Sequence, residues 1–276
     1  MDEVSSIFDS LIIRGMIPEE KKTMTAEEFW KFTIDCYNQS EGNLHEQDGI
    51  KCRICKNKGS VQVIQGKFYS AYVPCKCMKK RNAYAKARNS GLGGYLYKTL
   101  DDYIVEADWQ REFKKATEDY LHRHSEDNAW FMACGTSGCG KTLLGSIIAN
   151  SLLFDRGRDV LYIIWTDFIS QLKRDMMGEK TNEVSRYLDD VKKVDVLFLD
   201  EVLKKHNETD LRYLIEIINY RYTNDLKTII TSEKLLNELI DIDEAVFGRA
   251  VEKCEGFMIN IPRDRRKNYR LRAITV

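Results

Sequence analysis

The sequence predicts an α/β fold, a parallel β-sheet flanked by helices, preceded by a small N-terminal domain of helices and a cysteine-bearing ribbon. Three observations predict it. From residue 109 onward, short apolar runs alternate with stretches of helical period, as expected of strands covered on both faces by their crossover helices. A glycine-rich turn lies between one of those strands and the helix after it. Ahead of the alternation, two close cysteine pairs bracket a short segment of strand-like residues.

A chain of 276 residues has room for one or two domains and a connector. A composition of 43% hydrophobic and 31% charged residues, with three prolines, is that of a globular chain rich in helix. No apolar run approaches the roughly 20 residues of a bilayer-spanning helix, and MDEVSSIFDS lacks the basic-then-apolar order of a secretion signal. A cytoplasmic protein without membrane attachment is expected.

The formal net charge of zero conceals an uneven distribution. Residues 1–48 hold four Lys/Arg against eleven Asp/Glu, whereas residues 49–98 hold twelve Lys/Arg and no acidic residue. The expected organisation is an acidic helical segment (1–48), a basic cysteine ribbon with a linker helix (49–90) and an α/β domain (91–276).

In the first segment, helix-period apolar positions occur at Ile7, Leu11 and Ile12. They recur at Phe29, Trp30, Phe32, Thr33 and Cys36, behind a Thr25-Ala-Glu-Glu28 capping box. Asn43 to Asp48 reads as a polar connector. Val61, Val63, Phe68, Tyr69, Tyr72 and Val73 surround Gln65-Gly66-Lys67, the pattern of a hairpin with glycine at its turn. Met78 to Asn89 is Ala-rich and basic, a helix that Gly91, Gly93 and Gly94 would end. A helix over Trp109–His122 then leads into strands at 130–133, 160–165, 194–199, 228–231 and 257–261, with helices at 141–154, 168–176 and 211–222 between them.

Cys52-x-x-Cys55 and Cys75-x-Cys77 supply four thiolates in two close pairs joined by the hairpin, a spacing that suits tetrahedral zinc. Four sulfurs close the coordination sphere, so the metal would be structural and would supply folding energy to a segment too small for a core of its own. An iron–sulfur cluster, uncoordinated thiols or a redox pair are the competing readings. Cys36, Cys134, Cys139 and Cys254 lack such pairing and read as packing or loop residues. His45 is a possible substitute ligand that is more simply solvated. The aromatic residues Phe68, Tyr69, Tyr72, Tyr84, Tyr95 and Tyr97 among the basic ones suit stacking and phosphate contact with single strands. Docking on an acidic protein surface, this chain's own acidic segment included, explains them equally well.

Gly135-Thr136-Ser137-Gly138-Cys139-Gly140-Lys141-Thr142 matches G-x-x-x-x-G-K-[ST] between the strand WFMAC and the helix TLLGSIIANSLLF. The turn would cradle phosphates with backbone N–H groups at a helix N-terminus, Lys141 bridging the β and γ oxygens of ATP and the Thr142 hydroxyl ligating Mg2+. The run Val194-Asp-Val-Leu-Phe-Leu-Asp200-Glu201 ends an apolar strand in two carboxylates. Asp200 would hold the magnesium through water, and Glu201 would orient or deprotonate the attacking water.

An Asp-Glu ending behind such a loop, followed by Thr228-Ile-Ile-Thr-Ser232-Glu233 and Phe247-Gly-Arg249-Ala-Val-Glu, resembles an AAA+ P-loop NTPase. That resemblance implies a five-stranded parallel sheet. It also implies a sensor side chain at Ser232 that positions the attacking water, and a finger at Arg249 that reaches the γ-phosphate of a neighbouring subunit in a self-associated assembly. With the cysteines ahead of it, the lead-in Tyr97-Lys-Thr-Leu-Asp-Asp-Tyr103 and a terminal Asn268-Tyr269-Arg270, the chain from about residue 50 is similar to the DnaC/DnaI replicative helicase loaders, phage-encoded ones included. The family implies ATP-driven assembly, an N-terminal domain that grips a ring-shaped replicative helicase hexamer, and an ATPase domain that meets single-stranded DNA. Loaders generally carry Asn or Asp after Thr-Ser, whereas this chain carries Glu233, and it is short after Ile261 for a full helical lid. An IstB-like transposition helper acting on duplex DNA shares the core but normally lacks the ribbon. A small-molecule kinase fits the loop but not the Asp-Glu strand end or Arg249.

Overall fold

A computed structural model describes residues 25–65, 70–87, 92–177, 181–204 and 207–271. The expected helix around Ile7, Leu11 and Ile12, the hairpin turn at Gly66-Lys67 with Phe68 and Tyr69, and Gly91 lie outside the described residues. The chain divides into two compact units, Met1–Arg81 and Asn82–Val276. The division falls within the basic helix rather than at the glycine cluster, and the acidic helix shares a unit with the ribbon.

In the first unit, helix α1 (Ala26–Gln39) starts on the expected capping box: Thr25 Oγ1 accepts from Glu28 N at 3.3 Å and Glu28 Oε2 accepts from Thr25 N at 2.8 Å. A short helix α2 (Leu44–Asp48) occupies the polar connector. Strands β1 (Ser60–Ile64) and β2 (Ser70–Pro74) pair antiparallel, with Val61 opposite Val73. Helix α3 (Cys77–Ala87) begins on the last of the four cysteines. The end of α1 is stitched to the ribbon. Asn38 exchanges two bonds with the Gln62 backbone at 2.9 and 3.0 Å, Tyr37 shares a 2.7 Å bond with Ser60, and Lys56 donates to Gln39 O at 2.9 Å. Lys58 donates to Ser40 O. Lysines gathered at a helix C-terminus meet its unsatisfied carbonyls and the negative end of its dipole. Part of the basic charge is thus met by this chain's own acidic segment.

The second unit opens with helix α4 (Asp108–His124) and continues as β3 (Phe131–Gly135), α5 (Lys141–Phe154), β4 (Val160–Ile164), α6 (Trp165–Met177) and α7 (Thr181–Lys193). Strand β5 (Val196–Asp200), helix α8 (Glu208–Thr223), strand β6 (Lys227–Ser232), helices α9 (Leu236–Ile242) and α10 (Glu244–Lys253) and strand β7 (Met258–Ile261) complete it. The five strands form one parallel sheet in the order β4-β5-β6-β3-β7.

The burial follows that order. The inner strands β3, β5 and β6 are buried at every position, and β3 and β5 accordingly read as apolar runs, while the edge strands β4 and β7 mix buried with partly or fully exposed positions. Trp130, Met132, Leu197, Leu199, Ile217 and Ile230 belong to the apolar cluster on which the helices pack. Helix α7 was not anticipated, although Val184, Leu188 and Val191 repeat at helical spacing and are all buried. Because β3, β5 and β6 are neighbours and parallel, their C-terminal ends open on one edge, where crossover sheets place ligands.

Candidate functional site

At that edge, residues 135–140 turn from β3 into α5. Two glycines there are required by geometry. Gly138 has φ +73°, and a Cβ on it would stand 1.9 Å from Asn268 Oδ1; Gly140 has φ +94°, and a Cβ would stand 2.7 Å from the Tyr103 ring. Lys141, 8% exposed, points its ammonium back under the loop and donates to the Gly135 and Thr136 carbonyls, each at 2.7 Å. Cys139 Sγ donates to Thr136 O at 2.8 Å, so this thiol is a brace of the loop.

Asp200, at the end of β5, gathers three hydroxyls. Thr142 Oγ1 donates to its two oxygens at 3.0 and 3.1 Å, Tyr162 OH donates at 2.8 Å, and Thr231 Oγ1 donates from β6. Burial, then the Asp200 charge, push the Tyr162 phenol well up, so it remains a donor. Tyr162 went unnoticed in the sequence: it lies on β4, and only the pairing of β4 with β5 brings it to Asp200. Hard oxygens from Thr142 and Asp200 at this spacing fit a magnesium ion, which keeps most of its waters.

Glu201 follows with φ 56°, its N–H donating to Thr231 Oγ1 at 3.1 Å. Ser232, fully buried, donates through Oγ to Val202 O at 2.7 Å and so ties β6 to the loop after β5. Glu233 stands next to it. Burial works against its charge, but a hydrogen bond from Ser137 and the Lys204 ammonium outweigh that and hold it below the usual carboxylate range. Residues 137–142, Glu201, Thr231, Ser232 and Glu233 line one cavity of about 260 Å³, whose other wall is Tyr95, Tyr103, Ile104, Tyr269 and Arg270.

The C-terminal segment closes the loop from behind. Tyr269 N donates to Gly138 O at 3.0 Å, Thr136 Oγ1 donates to Pro262 O at 2.9 Å, and Asp264 N donates to Thr136 Oγ1 at 3.1 Å. The terminal Asn268-Tyr269-Arg270 thereby meets the phosphate loop. Arg249 lies elsewhere, on α10. Its guanidinium donates to Asn219 Oδ1 at 2.7 Å and faces the Tyr222 ring of α8, and it is not among the residues lining the cavity.

The sulfurs of Cys52, Cys55, Cys75 and Cys77 lie within 4.8 Å of one another, without His45. Cys52–Cys75 and Cys55–Cys77 are 3.8 and 3.5 Å apart. A tetrahedron with zinc–sulfur bonds of about 2.3 Å has edges of about 3.8 Å, so the set fits that ion. Burial works to raise the Cys55 thiol, but the Gly59 N–H and the neighbouring sulfurs bring it down to about 7. Arg81, 5% exposed, braces the ribbon by donating to Asp48 Oδ1 at 2.6 Å and Ile50 O at 2.7 Å. Among the described residues no helix is long and apolar enough to cross a membrane.

The family model described as "IstB-like ATP binding protein" matches residues 80–271, more than half of the chain. The chain belongs to the IstB-like ATP-binding protein family. Its domain is thus an AAA+ ATP-binding domain of the IstB/DnaC type, a class that hydrolyses ATP, and the loop, Asp200 and Glu201 fall within the match. The replicative helicase loader DnaC of Buchnera aphidicola (subsp. Acyrthosiphon pisum) is 33% identical over 125 residues, 45% of this chain and 49% of that one. The chain thus spans about half the length of that loader. The phage-like element PBSX protein XkdC of Bacillus subtilis is 25% identical over 226 residues, 76% of this chain and 82% of the relative. Among solved structures, a DNA replication initiation factor superposes with a TM-score of 0.50 at 22% identity, over 63% of this chain and 52% of that chain, a likeness of fold.

Proposed function

We propose that this protein is an ATP-dependent loader of a ring-shaped replicative helicase onto single-stranded DNA, acting through the N-terminal unit on the helicase and through ATP hydrolysed at an inter-subunit site. The observation that carries the ATPase half is the convergence of Thr142, Tyr162 and Thr231 on Asp200, with Glu201 beside it in the cavity under the phosphate loop. The loading half is supported by the DnaC relative and by a cysteine cluster ahead of the AAA+ domain.

In this mechanism the loop N–H groups and Lys141 hold the β- and γ-phosphates, while Thr142 and Asp200 hold the metal. Magnesium bound there would neutralise the charge that spreads over the phosphate oxygens. Tyr162 and Thr231 fix the Asp200 carboxylate so that its lone pairs face the Thr142 side. Glu201 takes the proton of the attacking water or aligns that water. Ser232 acts on the loop after β5, through Val202, rather than through a hydroxyl presented to the phosphate. Arg249, held on α8 by Asn219, completes the site of a neighbouring copy of the chain. Cys52, Cys55, Cys75 and Cys77 would hold a zinc ion, which would fix the fold of the ribbon that meets the helicase.

The deciding experiment is capture of the hexameric helicase encoded in the same genome, with Mg-ATP, with ADP and without nucleotide. A nucleotide-dependent complex supports loading; no complex under any condition rejects it. The family description favours one rival, an IstB-like transposition helper. ATP-dependent filaments on duplex DNA with no helicase complex would select that rival.

A further inference from the structure

The loop after β5 carries a cation that the roles above leave unused. Lys204 lies three residues past Glu201, and its ammonium stands 3.2 Å from Glu201 Oε2 and 3.4 Å from Glu233 Oε1. It bridges two carboxylates that each directly follow one of the neighbouring strands β5 and β6, and that both line the nucleotide cavity.

The backbone is bent to make this bridge. Glu201 and Leu203 sit at φ 56° and 54°, a region side-chain-bearing residues seldom hold. The bend is fixed by full burial of Val202 and Leu203, by Val202 N donating to Thr231 O at 2.9 Å, and by the Ser232 hydroxyl on Val202 O. Two carboxylates at the end of the cavity that takes the last phosphate would repel it. Glu233 is held in its charged form by a hydrogen bond from Ser137 and by the Lys204 ammonium. Glu201 and Glu233 in turn hold the Lys204 proton: burial works to lower its affinity, and the two carboxylates raise it above the usual lysine value.

We propose that Lys204 is the positioning residue of the γ-phosphate end: its ammonium holds Glu201 toward the attacking water and cancels the charge of Glu233, so that the site accepts ATP over ADP. This deepens the ATPase reading and rests on it. At 40% exposure the lysine contributes little to stability, as exposed ion pairs do, so its effect belongs in nucleotide selectivity rather than in folding.

The test measures Mg-dependent binding of a non-hydrolysable ATP analogue and of ADP to the full chain, together with kcat and KM. Lys204→Ala is expected to weaken the triphosphate about tenfold while ADP affinity stays within about twofold, with an unchanged melting temperature. Lys204→Arg should restore the preference. Lys204→Ala combined with Glu233→Gln should regain triphosphate affinity but not kcat, because Glu201 still lacks its partner. A wild-type ratio of ATP to ADP affinity in Lys204→Ala, or no recovery on adding Glu233→Gln, overturns the proposal and leaves the ATPase reading intact. Wild-type protein that binds neither nucleotide in the presence of magnesium overturns both.

Discussion

At the scale of single residues, the site separates binding from chemistry. Lys141 is almost wholly buried beneath the loop, its ammonium held on the Gly135 and Thr136 carbonyls. Lys141→Ala should therefore abolish Mg-ATP binding in calorimetry. Glu201 touches no residue of the phosphate loop by hydrogen bond and pairs instead with Lys204. Glu201→Gln should keep nucleotide affinity within about twofold while turnover falls on the order of 10²-fold or more, the scale of a lost general base. Arg249 is anchored by Asn219 and stacked toward Tyr222, away from its own chain's cavity. Arg249→Ala is expected to bind ATP as a monomer like wild type and to lose, on the order of 10²-fold or more, the turnover that DNA or a partner stimulates. Normal stimulated turnover in this variant removes the trans-acting assignment.

At the scale of elements, α5 and β5 carry the two halves of the site, and their separation is set at Gly145. A Cβ there would meet the Phe198 ring at 2.5 Å, and Phe198 is itself fully buried edge-on against Tyr162. Helix propensity favours Gly145→Ala by about 1 kcal/mol, but overpacking of a rigid ring costs about 1–3 kcal/mol, so the substitution should destabilise. Denaturant unfolding and Mg-ATP titration should show both lower stability and weaker binding, because Thr142 is pushed away from Asp200. Strand β6 begins with a different economy. Lys227 is fully buried, with Tyr120 OH at 2.8 Å and His124 O at 2.6 Å, and burial brings its ammonium down to about 8 against the pull of Asp127. Between that value and the ordinary lysine value of 10.5, the unfolded chain holds a proton the folded one has released. Stability contributed by this group must then rise with pH across that window. Relative to Lys227→Met, the wild type should gain on the order of 1 kcal/mol in urea unfolding between pH 7.5 and pH 9.5, since each pH unit separating the folded and unfolded values is worth about 1.4 kcal/mol and only part of that separation is expressed in this window. Much of this level was legible in the sequence: apolar runs gave β3 and β5, and the Thr25 box gave the start of α1. Tyr162 and Lys204 were not, since strand register and a left-handed bend decide where those side chains end.

At the scale of the whole molecule, the two units draw on different sources of stability. The second has a parallel sheet with a large apolar cluster, whereas the first leans on four sulfurs, Arg81 and a two-stranded ribbon. A strong chelator, or Cys75→Ser, should therefore unfold the ribbon, seen as lost far-UV signal and protease cleavage between residues 50 and 78, while Mg-ATP affinity stays within about twofold. The charge asymmetry of the sequence pointed to the ribbon, but that its lysines would be partly spent on the carbonyls closing α1 depends on a docking no local pattern records. Strand β7 and residues 262–271 have a bearing on synthesis. Strand β3 is paired on one side by β6 and on the other only by β7, and the phosphate loop takes its backing from Ile261, Pro262 and Asp264. A nascent chain leaving the ribosome therefore carries a nucleotide pocket with an open sheet edge until nearly all of these residues have emerged, and shortened translation products should be targets for chaperones and proteases rather than weak competitors for ATP.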